Sequence, residues 1–93
     1  MMNIEKEMLF ANLSKIQEEA VVSALIQQEK YHNIEEMLTD VSYEVLYRCM
    51  ELLDGYYCPD IKYRLTNVKT DAEVNESLDL HDFCPDYLKL VEK

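Results

Sequence analysis

Tyr31-His32-Asn33-Ile34-Glu35-Glu36 decides the fold, because it breaks an otherwise continuous helical pattern into two. Asn33 followed three residues later by Glu36 has the N-cap and N3 spacing of a capping box, with Asn standing where Ser or Thr is usual. A helix therefore restarts at Ile34. Upstream, no Gly or Pro occurs from Asn3 to about Gln28, and Met8, Leu9, Leu13, Ile16, Ala20 and Ala24 return at steps of three and four. Asn3 is placed to cap this first helix, with Glu5 and Glu7 in its first turn favourable to the helix dipole. From Ala20 to Ile26 the pattern is apolar on nearly every side except Ser23, so this part needs cover on more than one face.

Downstream of the break, Ile34, Met37, Leu38, Val41, Val45, Leu46, Cys49, Met50, Leu52 and Leu53 make a broad apolar arc. Gly55, the only glycine, follows Asp54 where a left-handed residue ends a helix. Two long helices with a short link predict an antiparallel helical hairpin over residues 3–54. Beyond Gly55 the period changes. Ile61, Tyr63 and Leu65 alternate with Lys62, Arg64 and Thr66, as in a half-buried strand, and Val74 to Leu78 is a short return strand. The expectation is a β-hairpin over about 60–78. Phe83, Tyr87, Leu90 and Val91 then fall at helical spacing over about 82–92, with Pro85 tolerated only in the first turn. The fold class expected is α+β, mostly α, in one domain spanning residues 1–93. Tyr57-Cys58-Pro59-Asp60 is echoed by Phe83-Cys84-Pro85-Asp86, a pair too short to make a repeat architecture.

Charge narrows the function. Nineteen acidic residues against nine basic give a net charge of −10, which repels phosphate backbones and anionic lipid. No nucleic-acid or membrane partner is expected. Lys62 and Arg64 around Tyr63 read as the solvent face of a strand rather than as a base-stacking platform. The first seven residues have no basic stretch leading into an apolar one. Three cysteines make an odd count, which favours reduced thiols and a cytoplasmic protein.

Chemistry-bearing motifs are absent: one glycine cannot build a phosphate loop, and no serine elbow occurs. No enzyme and no cofactor are expected. One alternative is a zinc protein or enzyme using Cys58, His81 and Cys84, with His32 as a further donor, since thiolate and imidazole suit that metal. Against it, there is no C-x-x-C and no His pair at i and i+4. Cys58 and Cys84 stand beside Asp60, Asp82 and Asp86, whose charge holds thiols protonated.

The distribution of charge says more than its total. Between Thr70 and Leu88 lie Asp71, Glu73, Glu76, Asp79, Asp82 and Asp86 without a Lys or Arg, and Glu35, Glu36, Asp40 and Glu44 likewise stand uncompensated between Tyr31 and Tyr47. A coherent negative face steers basic partners. Tyr and Met are enriched at interfaces, and Tyr43, Tyr47, Tyr57 and Tyr87 border the acidic stretches. The expectation is an acidic protein-interaction module, an inhibitor or neutraliser of a basic partner, acting as a homodimer. Its contact residues would be Tyr43, Glu44, Tyr47, Tyr57, Asp79, Asp82, Asp86 and Tyr87. A further alternative is a subunit of a larger assembly with no activity alone.

Overall fold

A computed structural model describes residues 3–91. Helix α1 runs Ile4–Ile26, a 3-10 turn covers Gln28–Lys30, and helix α2 runs Ile34–Asp54. Strands β1 (Thr66–Asn67) and β2 (Ala72–Glu73) follow, then a 3-10 turn at Leu80–Phe83 leading into helix α3 (Cys84–Tyr87). This is the mostly α, α+β class, with a helical hairpin, a two-stranded antiparallel sheet and a short last helix. The chain divides into two compact units, residues 3–45 with 90–91, and Leu46–Lys89. No helix of the described residues is long and apolar enough to cross a membrane.

In the first unit, Asn3 accepts the Lys6 N–H at 3.0 Å and opens α1 as a side-chain cap. The buried residues of α1 are Ile16, Ala20 and Ala24, four apart and therefore one stripe. On a helix turning 100° per residue, Val21, Val22, Leu25 and Ile26 lie on the opposite side, and they are 45, 47, 56 and 79 % exposed. The helix ends where the Gln27 N–H reaches back to Ser23 and Ala24, and the Gln27 amide donates to Ser23 Oγ at 3.0 Å. At α2 the Asn33 side chain accepts the Glu36 N–H at 2.9 Å, as the capping-box spacing predicts. The reciprocal bond lands one residue earlier: Glu36 Oε1 accepts the His32 N–H at 2.9 Å and also meets His32 Nδ1 at 3.0 Å. That backbone bond, with the imidazole, holds the Glu36 carboxyl below its ordinary pKa. Buried Asp40 and Tyr43 sit in the first turns of α2, and the Tyr31 hydroxyl donates to Asp40. Desolvation first, and then Asp40 and Glu44, push the Tyr31 phenol up to about 12.

In the second unit, α2 stops as the lone glycine predicts. Gly55 has φ +86°, its N–H reaches Leu52 O at 3.3 Å, and the Tyr56 N–H reaches Glu51 O at 2.9 Å. Those two bonds make a Schellman motif.

The β-hairpin and the last helix are shorter than the sequence predicts. The ladder pairs only Thr66 with Glu73 and Asn67 with Ala72, and one further bond runs from the Val74 N–H to Leu65 O at 2.8 Å. Residues 61–65 lie outside the ladder, and their N–H groups take partners elsewhere. The Tyr63 N–H donates to Leu53 O at 2.9 Å. Asn75, itself buried, accepts the Leu65 N–H at 2.8 Å and donates to Tyr63 O at 2.7 Å. A side-chain amide thus stands in for a strand, because β1 and β2 are exposed throughout and offer no apolar cross-strand pairs to extend the ladder. Pro85 does lie in the first turn of α3, but the helix ends at Tyr87, and Leu88 is extended at φ −101°, ψ 154°. Of this helix only Cys84 is buried, too small an anchor to propagate a costly nucleus. The two Cys-Pro-Asp segments also part company. The Cys58 carbonyl accepts from Ile61 in a turn, whereas the Cys84 carbonyl accepts from Leu88 in a helix.

Candidate functional site

The Schellman turn at Gly55 leaves Asp54 as the last residue of α2, at the negative end of the helix dipole, where a carboxylate is disfavoured. Asp54 is nonetheless buried. What compensates it comes from the 3-10 turn at Leu80–Phe83. Asp54 Oδ2 accepts the His81 backbone N–H at 2.8 Å and lies 2.7 Å from His81 Nδ1. Its Oδ1 is buried with no hydrogen-bond partner. The Asp54 side chain has no exposure and that of His81 only 10 %, so this is a buried pair.

Aromatic rings enclose the imidazole. Tyr56 meets it edge-on at 4.7 Å between centroids and Tyr47 at 5.7 Å. The other ring nitrogen, Nε2, is 3.4 Å from Asp82 Oδ1, and the Asp82 side chain is exposed. Burial pulls the His81 pKa down, but the Asp54 hydrogen bond and the charges of Asp82, Asp54 and Glu51 outweigh it and leave it raised. Around this pair, the Tyr56 hydroxyl donates to Asp79 Oδ2 at 3.0 Å, which raises the phenol's pKa. Desolvation, then Asp54 and Glu51, raise the thiol of buried Cys84. A thiol so placed is held protonated rather than activated. A hollow of about 370 Å³ opens on the same unit, lined by Asp54, Tyr56, Asp60, Lys62 and Asp79 among others.

Chemically, an aspartate fixing Nδ1 of a histidine leaves Nε2 as the one exchangeable ring position. Here Nε2 faces Asp82, so the arrangement sets the imidazole between two carboxylates and clamps the 3-10 turn to the end of α2.

The expected contact residues fall in different places. Tyr47 packs on His81, Asp79 takes the Tyr56 hydroxyl, and Asp82 flanks Nε2, so these three share one neighbourhood. Asp86 is exposed in α3, and Tyr87 beside it is 82 % exposed. Tyr57 is half-buried just past the Schellman turn. Tyr43 and Glu44 belong to the first unit, the tyrosine buried and the carboxylate half-buried. Of the zinc candidates, His81 and Cys84 are buried and Cys58 half-buried, and all three cysteines are free thiols. Among the described residues, no three His, Cys, Asp or Glu side chains are arranged to hold a metal ion. His32 lies in the first unit, against Glu36.

Sequence reasoning missed Asp54, Tyr56 and Asn75. Asp54 carried a signal: an acidic residue directly before a helix-ending glycine opposes the dipole and needs a reason. Asn75 carried one too, as a poor strand former in the middle of a return strand. No family model, curated protein or solved structure matches the chain.

Proposed function

We propose that this protein is an acidic interaction module that docks on the basic surface of a partner protein and works by occupying it, as an inhibitor or neutraliser. The observation that carries the reading is the acidic run from Asp71 to Asp86. Five of its six carboxylates belong to exposed residues, and among the described residues Arg64 meets the run at Glu73, at 3.4 Å. Asp71, Glu76, Asp82 and Asp86 therefore keep their field in solvent, where it accelerates encounter with a positive surface and rejects like-charged ones. The reading includes a homodimer, supported by the outward arc of Val21, Val22, Leu25 and Ile26 on α1, which two copies bury against each other.

Native mass spectrometry of untagged protein drawn from its own host tests this. The expected species is a dimer or a complex with a basic protein, with the complex lost in Asp82→Lys/Asp86→Lys. A complex that survives charge reversal, with affinity insensitive to salt, overturns the reading. Val22→Lys tests the dimer separately by sedimentation, and an unchanged mass rules out the α1 arc as its contact.

A further inference from the structure

The second unit carries an apolar groove of about 210 Å³, lined by Leu46 and Met50 of α2, Leu80 and Phe83 of the 3-10 turn, and Tyr87 and Leu88 at the end of α3, with buried Cys84 among them. Leu46, Phe83 and Tyr87 are exposed, so the groove is open to solvent. We propose that this groove is the anchor pocket of the interaction reading, and that it receives the apolar face of a cationic amphipathic helix of the partner. The proposal rests on that reading and names its docking site.

Two observations select this occupant. The first is size. Pockets for small organic ligands run to about 300–1,000 Å³, and this one holds no more than one or two apolar side chains. The second is charge. Glu51 follows Met50, and exposed Asp82 and Asp86 flank Phe83 and Tyr87 in the chain, against Arg48 and Lys89 as the Lys and Arg of the same stretches. Glu51 and Asp54 are close enough to Cys84, inside the lining, to act on its thiol. An apolar slot with acidic residues beside it suits a helix that sets one or two Leu-type anchors of its apolar face, at i and i+3 or i+4, into the slot and carries cations beside them. A second copy of this chain suits it poorly. Helices α1 and α2 each carry more acidic than basic residues and bring no cationic face to Asp82 and Asp86. Tyr87 serves as the aromatic rim that excludes water from the anchor.

The probe is a synthetic helix with Leu at i, i+3, i+4 and i+7 on one face and Lys on the other. Its control is the same residues shuffled so that the Leu side chains no longer share a face. Calorimetry is expected to show the patterned helix binding at least about tenfold more tightly than the shuffled one. NMR is expected to place the shifts on Leu46, Met50, Leu80 and Tyr87. Leu46→Gln and Tyr87→Ala, both at exposed positions, are expected to weaken binding about tenfold or more with unchanged far-UV circular dichroism. No binding, equal binding of the shuffled helix, or indifference to both variants overturns the groove. If the variants are silent but Asp82→Lys/Asp86→Lys abolishes binding, the acidic-module reading stands and the groove alone is wrong. If charge reversal is silent as well, both fall.

Discussion

Replacing His81 by Ala removes the imidazole from a carboxylate that has no exposure and one oxygen already without a partner. Of the two contacts to Asp54 Oδ2, the backbone N–H at 2.8 Å survives and the Nδ1 contact at 2.7 Å is lost. Removing one member of a buried pair costs about 3–5 kcal/mol. The surviving N–H places His81→Ala at the lower end, about 3 kcal/mol. At roughly 4–8 °C per kcal/mol for a chain of this size, Tm falls by about 12–24 °C. The pH dependence fixes the mechanism. A histidine whose folded pKa is raised contributes stability that is complete below its unfolded value of 6.5 and disappears as pH climbs through the folded value. The penalty for His81→Ala is therefore larger at about pH 5.5 than at about pH 8.5. Urea unfolding of both proteins at the two pH values, followed by tyrosine fluorescence and circular dichroism, measures it. A cost under about 1 kcal/mol, which an ordinary hydrogen bond would give, refutes the buried-pair argument. So does an equal cost at both pH values.

Gly55→Ala forces a Cβ into a left-handed backbone and to 3.2 Å from Lys62 Cβ, and is expected to cost about 1–2 kcal/mol in the same urea assay. Asn75→Ala leaves the Leu65 N–H and the Tyr63 carbonyl without their side-chain partner; about 2–3 kcal/mol is expected, with fast hydrogen exchange at Leu65 as the local signature. Cys84, and Cys49 with it, have thiol pKa values raised by burial. Both are expected to alkylate at about pH 8 at least about tenfold more slowly than in urea, as peptide mass spectrometry of the labelled protein will show.

The helices were legible because their signals are local and mutually consistent. Asn3, Asn33 and Gly55 each act on the backbone within a few residues, and each does in the structure what its spacing predicts. The alternation shows in the half-burial of Ile61 and Tyr63 beside exposed Lys62 and Arg64, but its backbone partner is not legible in the sequence. Pairing is non-local, and a buried Asn ten residues on satisfies the Leu65 N–H as well as a strand does. The last helix is shorter than its period predicts because Leu90, 53 % exposed, and half-buried Val91 give that period little burial. The Asp54–His81 pair joins positions 27 residues apart. Its members are a carboxylate in no motif and a histidine whose nearby cysteine suggests a metal ligand, and only the folded chain shows that they meet.

That separation also says how the second unit comes apart. Closing a loop of this length costs about 3 kcal/mol of chain entropy, by (3/2)RT ln n. The Asp54–His81 contact alone therefore roughly offsets its own closure and leaves nothing over. The Tyr63-to-Leu53 bond and the Asn75 bridge divide the loop into shorter segments that each close more cheaply. The intervening residues should open as one cooperative segment once the clasp at His81 is released, well before α2 frays. Amide exchange would then rise together at Tyr63, Leu65 and Val74 as the solution is made alkaline, beyond the intrinsic increase with hydroxide, while the middle of α2 keeps its protection.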